Sequence, residues 1–155
     1  AFIPEKRTRD ALLALEQVRH VHDQLSRARV AIVGLGTLVN SMFVERGVLP
    51  ENAIAALRRA GAVGEICGRF FNAAGSECAT PWRDRVISLR LEQLRRIPQV
   101  IGIVSGSDRS EAILAAVKGR LLKSLVIDEA GANALLAVAP ETASKISHPR
   151  KRSIP

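Results

Sequence analysis

Apolar residues gather into two runs that each end on small residues, Val30-Ala31-Ile32-Val33-Gly34-Leu35-Gly36-Thr37 and Val100-Ile101-Gly102-Ile103-Val104-Ser105-Gly106-Ser107. A continuous apolar run of this length reads as a strand buried on both faces, as in a parallel sheet. Ahead of the first run, Leu12, Leu15, Val18, Val21 and Leu25 recur at helical spacing. They predict one helix from an N-cap at Thr8 to about Leu25. A short helix is expected over 38–46 with Gly47 as its stop, and Pro50 opens another that ends at Gly61. The stretch 63–71 is apolar and β-prone, 72–75 reads as a turn, and 86–89 is a short strand candidate. A helical turn or two over 91–97, a helix over 108–118, a strand over 124–127 and a helix capped by Asp128 complete the pattern. Alternating strands and helices predict an α/β fold, a mostly parallel sheet with flanking helices, and the region 63–89 departs from the alternation as a small hairpin insertion.

Small residues at the end of a buried strand let backbone N–H groups and a helix N-terminus approach an anion. Two such turns with arginines nearby suggest a domain that holds a phosphorylated small molecule. At 155 residues, 47% of them apolar, the chain is long enough to bury a core. No apolar run reaches the roughly 20 residues that a membrane helix requires, and no leader pattern is visible. Cys67 and Cys78 have no metal-ligand spacing, and a cytoplasmic setting makes a disulfide between them unexpected. The balance of 23 Lys and Arg against 15 Asp and Glu invites a nucleic-acid reading. The arginines are scattered, however, and four Phe, one Trp and no Tyr are too few to build stacking platforms. The dense basic run is His148-Pro149-Arg150-Lys151-Arg152, within a segment 141–155 expected to be a loosely ordered tail.

The segment Val63-Gly64-Glu65-Ile66-Cys67-Gly68-Arg69-Phe70-Phe71-Asn72 is less generic, because a carboxylate inside an apolar stretch is costly to bury without partners. With Asp84-Arg85-Val86-Ile87, it resembles the SorC family of sugar-responsive bacterial transcriptional regulators. Arg9-Asp10-Ala11-Leu12-Leu13, Val33-Gly34-Leu35-Gly36-Thr37, Ser105-Gly106-Ser107-Asp108-Arg109-Ser110-Glu111-Ala112-Ile113-Leu114 and Ile127-Asp128-Glu129-Ala130 fit in the same order. The resemblance runs from about residue 8 to residue 137. It implies a Rossmann-like effector domain, similar in fold to glucosamine-6-phosphate deaminase and ribose-5-phosphate isomerase. It also implies that residues 1–140 are the later part of that domain. The helix-turn-helix and the domain's first strand-and-loop region would then lie outside this chain.

By the same resemblance, the effector contacts are Arg46 on a phosphate, Glu65 on sugar hydroxyls and Arg109 in place of a lysine common in the family. Gly34, Gly36 and Thr37 would line the pocket floor, with Ser105 and Gly106 at the second strand end. The residues admit other roles. Arg46 can cap a helix C-terminus. Glu65 can pair with Arg69 or Arg85, and Arg109 can be a solvated first-turn residue. The expected function is non-enzymatic: a domain sensing a phosphorylated sugar, without cofactor or metal, as a homo-oligomer that meets DNA only through a separate domain. A sugar-phosphate isomerase or deaminase of the same fold, or a ligand-free dimerisation module, are the alternatives.

Overall fold

The two glycine-terminated runs lie side by side. The computed structural model describes residues 1–138, and the 141–155 tail expected from sequence lies outside that range. Helices α1 (Lys6–Ala14) and α2 (Glu16–Ser26) lead into β1 (Val30–Gly34). Helices α3 (Met42–Glu45) and α4 (Glu51–Arg59) follow, then β2 (Ala62–Ile66) and β3 (Arg69–Asn72). After a 3-10 turn over Pro81–Arg85 come α5 (Leu91–Arg96), β4 (Gln99–Val104), α6 (Ser110–Lys118), β5 (Ser124–Ile127) and α7 (Glu129–Val138).

Strands β1, β4 and β5 form a parallel sheet in that order, with Val30 opposite Gln99 and Ile101 opposite Ser124. Strands β2 and β3 form a separate antiparallel hairpin. The α/β architecture with a mostly parallel sheet and a hairpin insertion is therefore present. Two apolar cores form, and the hairpin supplies residues to both, Ile66 and Phe71 to one and Phe70 to the other. Val33, Val100, Val104, Ile113 and Leu121 anchor the sheet core, and Leu57, Phe70, Trp82 and Val86 anchor the hairpin core. Trp82 stacks on Phe2 with ring centroids 4.3 Å apart. The opposite face of the sheet is open: Ile32 is 67% exposed, Ile103 52% and Val126 57%. Full burial of both strand faces, expected from the apolar runs, holds for one face only in this chain.

Several local expectations change. The single helix from Thr8 breaks at Leu15, which has ψ 132, and Thr8 sits inside α1 rather than at its cap. Neither proline nor glycine marks the break, so helical periodicity runs through it unnoticed. The 38–46 helix shrinks to α3, with Ser41 as N-cap accepting from the Phe43 N–H at 3.2 Å. The β-prone run 63–71 is divided by Cys67-Gly68, with φ of 55 and 79. Paired positive φ values suit a two-residue hairpin turn. No strand forms over 86–89. Val86 makes one bridge to Phe2, while the Ser88 and Leu89 carbonyls accept from the Arg69 guanidinium. The start of the 108–118 helix is a 3-10 turn over Ser107–Arg109.

Candidate functional site

A cleft of ≈ 590 Å³ opens where β1 meets the hairpin. Its walls include Gly34, Gly36, Asn40, Phe43, Glu65 and Gly68. The size falls within the range of small-molecule sites. Its position follows from one backbone joint: Gly36 N–H donates to the Glu65 carbonyl at 3.0 Å, and Glu65 N–H returns a bond to the Gly36 carbonyl at 2.8 Å. This joint brings the first small-residue turn against the hairpin carboxylate. A Cβ at Gly36 would stand 3.1 Å from Glu65 Oε2, so glycine here permits the close approach. Gly34 differs, since a Cβ there would meet nothing within 4 Å and its bare backbone faces the open cleft.

Glu65 is only 9% exposed. Its Oε1 accepts from the Gly68 N–H and its Oε2 from the Ser41 hydroxyl at 3.4 Å. Burial pushes its carboxyl above the ordinary carboxylate range, and the bonds from Gly68 and Ser41 oppose that shift more weakly. The expected alternative of an ion pair with Arg69 or Arg85 is overturned. Arg69 instead meets Glu77 at 2.7 Å and donates through Nε to the Leu89 carbonyl at 2.7 Å. Arg85 lies 4.8 Å from the centroid of the Phe2 ring. The cleft therefore contains a buried carboxylate held by two neutral donors.

The second small-residue turn is organised by acids. Asp128 Oδ2 accepts from Gly106 N–H and Ser105 Oγ, both at 2.9 Å, while its Oδ1 accepts from Gly131 N–H at 2.8 Å. Those bonds hold its carboxyl below the usual carboxylate range, the Gly131 N–H most strongly. Arg109 reaches back to the Ser105 carbonyl and pairs with Asp108 at 2.8 Å. Asn40 links the two turns, donating through Nδ2 to Asp108 and accepting from Thr37 N–H at 2.8 Å.

Gly34, Gly36 and Glu65 therefore share one cleft. Thr37 turns aside, its hydroxyl accepting from the Val39 and Asn40 N–H groups, and lines a neighbouring ≈ 320 Å³ pocket with Asp108. Ser105, Gly106 and Arg109 sit at the next strand end, and Arg46 is the exposed C-cap residue of α3 outside the cleft walls. Sequence reasoning missed Asn40, Ser41 and Gly68. Ser41 carried a usable signal, a serine just before a short apolar helix. Asn40 carried none, because its partner Asp108 is 68 residues away.

The family model described as "Putative sugar-binding domain" matches residues 1–137. The transcriptional regulator LsrR of Enterobacter sp. (strain 638) is 34% identical over 126 residues, covering 79% of this chain and 39% of the relative. The chain thus spans about two-fifths of that curated relative's length. A DeoR family transcriptional regulator from Listeria monocytogenes superposes with a TM-score of 0.83 at 31% identity, over 87% of this chain and 55% of that one. The full-length sorbitol operon regulator SorC from Klebsiella pneumoniae has the same fold, with a TM-score of 0.77 at 23% identity, over 88% of this chain and 44% of that one.

Proposed function

Because the chain belongs to the sugar-binding domain family of transcriptional regulators, we propose that it forms the carboxylate half of an effector-binding cleft. The effector is a phosphorylated sugar, and its binding controls a DNA-binding domain carried outside this chain. Glu65 carries the reading. A buried carboxylate at the ends of the strands, held by Gly68 and Ser41 and without an ion-pair partner among the described residues, is an acceptor for sugar hydroxyls.

The phosphate is placed at the neighbouring strand end. There it would displace Asp108 from Arg109, whose planar fork suits phosphate oxygens. Arg46 would contribute as an exposed cation. Binding acts by shifting a conformational or oligomeric equilibrium, through differential affinity for its states. Turnover is not part of the proposal: the hydrogen-bond partners of Glu65 are a backbone amide and a hydroxyl.

Titration calorimetry with a panel of sugars and sugar phosphates tests these assignments. Glu65→Gln should weaken phosphorylated and unphosphorylated sugars alike, by about tenfold or more for the loss of a charged acceptor. Arg109→Gln should weaken only the phosphorylated ones. Equal losses for both ligand classes in the Arg109 variant would make that arginine structural, and full affinity in the Glu65 variant would remove the carboxylate from the site.

A further inference from the structure

Glu65 owes its setting to a residue behind the cleft wall. The N–H that Glu65 Oε1 accepts from belongs to Gly68, at the tip of the β2–β3 hairpin, where Cys67 and Gly68 both have positive φ. That bond favours the ionised carboxylate more than the bond from the Ser41 hydroxyl does, which is 3.4 Å long. The orientation of the hairpin tip therefore governs the carboxylate. Gly68 is buried, and a buried carbonyl needs a donor. Trp82 supplies it: the Gly68 carbonyl accepts from the Trp82 Nε1–H at 2.9 Å.

Trp82 is itself immobilised. It stands in the 3-10 turn over Pro81–Arg85 and is 3% exposed. Besides the stacked Phe2 ring, Phe43 and Phe70 meet it edge-on, with centroids 5.6 and 6.1 Å away. Three of the four Phe side chains in the chain thus surround its single Trp. Gly68 is confined as well: a Cβ there would stand 3.1 Å from Phe43 Cζ and 3.3 Å from Val86 Cγ1. Phe43 and Gly68 both line the cleft, and Trp82 touches both without lining it. An aromatic ring of any kind would fill this box. The indole adds one directed donor, and that donor is aimed at Gly68.

We propose that Trp82 is a positioning residue of the effector site. Through the Gly68 carbonyl it fixes the turn that presents a backbone N–H to Glu65, and so sets where the carboxylate stands in the cleft. It touches no ligand itself. The consequence for sugar binding rests on the reading of Glu65 as the sugar acceptor, whereas the hold on the carboxylate does not. A binding site is precise when the groups that hold its contact atoms are locked in their turn by packing and hydrogen bonds, and the stacked indole meets both conditions.

Because the chain has one Trp, supplying a tryptophan auxotroph with benzothienylalanine alters position 82 alone. This analogue keeps the shape of the ring and loses the donor. The Glu65 carboxyl carbon is followed by NMR through a pH titration, its signal identified by its loss in Glu65→Gln. The Gly68 N–H favours the ionised form, so loosening it should raise the titration midpoint above the parent's. Cys67, the titratable group coupled to Glu65, has a thiol that burial pushes up and away from that interval. Fluorotryptophan, which keeps the N–H, should leave the midpoint at the parent value, and Trp82→Phe should shift it as the benzothienyl analogue does. Affinity for glucose-6-phosphate, fructose-6-phosphate or ribose-5-phosphate, whichever the parent binds, should fall about two- to tenfold with the donor gone, the range for one neutral hydrogen bond. A lower melting temperature with an unmoved Glu65 midpoint would make the indole bond merely structural and overturn the proposal. A moved midpoint with unchanged affinity for a sugar phosphate that the parent binds would overturn it too. A moved midpoint in a protein whose parent form binds none of the three would uphold the hold on the carboxylate and overturn the effector reading of Glu65 instead.

Discussion

Glu65 is buried against Gly36, with a neutral donor on each carboxylate oxygen, and this has a thermodynamic signature. Its folded-state carboxyl titrates above the ordinary range, chiefly through desolvation. The folded protein therefore holds a proton that the unfolded chain has already released, and stability falls as pH rises through that interval. Glu65→Gln removes the ionisation. Its melting temperature should equal or exceed the parent's at neutral pH, and the gap should close as pH drops below the unfolded carboxyl value near 4.5. Melting curves from pH 3.5 to 7.5 check this, and a variant that melts lower at neutral pH would mean that the charge is compensated in the fold. The apolar stretch around Glu65 identified the residue from sequence alone. Its true partners were hidden, because Ser41 and Gly68 reach the two carboxylate oxygens from opposite sides of the joint and only the folded chain brings them together.

At the scale of elements, the hairpin and α6 meet through glycine. A Cβ on Gly75 would come within 2.4 Å of the Gly119 Cα, and one on Gly119 within 2.6 Å of the Gly75 Cα. Arg95 fastens this crossing by donating to both the Gly119 carbonyl at 2.8 Å and the Gly75 carbonyl at 2.6 Å. Gly119→Ala should therefore cost about 1–3 kcal/mol, the range for overpacking a tight contact. Denaturant unfolding measures it, and a loss within 0.5 kcal/mol, the scatter of a neutral surface change, would show that the backbones can part. The strand and helix order was readable from sequence because periodicity and small-residue stops are local signals. The crossing was not, since the glycines that touch are 44 residues apart in a chain whose turn at 72–75 looks ordinary. The same holds at 86–89, where a stretch of strand-like composition gives its carbonyls to Arg69 instead of to a partner strand.

For the whole molecule, the open sheet face dominates. Ile32, Ile103 and Val126 stand exposed on a parallel sheet, and such sheets are ordinarily covered on both faces. The stripe of Val18, Val21 and Leu25 on α2 adds an apolar pocket of ≈ 380 Å³ nearby in sequence. An exposed apolar patch of this kind favours association, while the net charge of +8 on each copy opposes it. The isolated chain should therefore self-associate more strongly as salt screens that repulsion. Paired Ile32→Lys and Val126→Lys should suppress association with little change in melting temperature, because both side chains already face solvent. Light scattering across a salt series decides, and a chain that stays monomeric in high salt would show that the face needs no cover.

The joint between Gly36 and Glu65 ties the end of β1 to the hairpin. The hairpin packs into both cores, with Ile66 and Phe71 in the sheet core and Phe70 in the other, and the cleft runs along the seam where β1 meets the hairpin. A ligand held at once by the Gly34–Gly36 backbone and by the Glu65 carboxylate would act as a rivet through that seam. Filling the site and stiffening the molecule would then be one event.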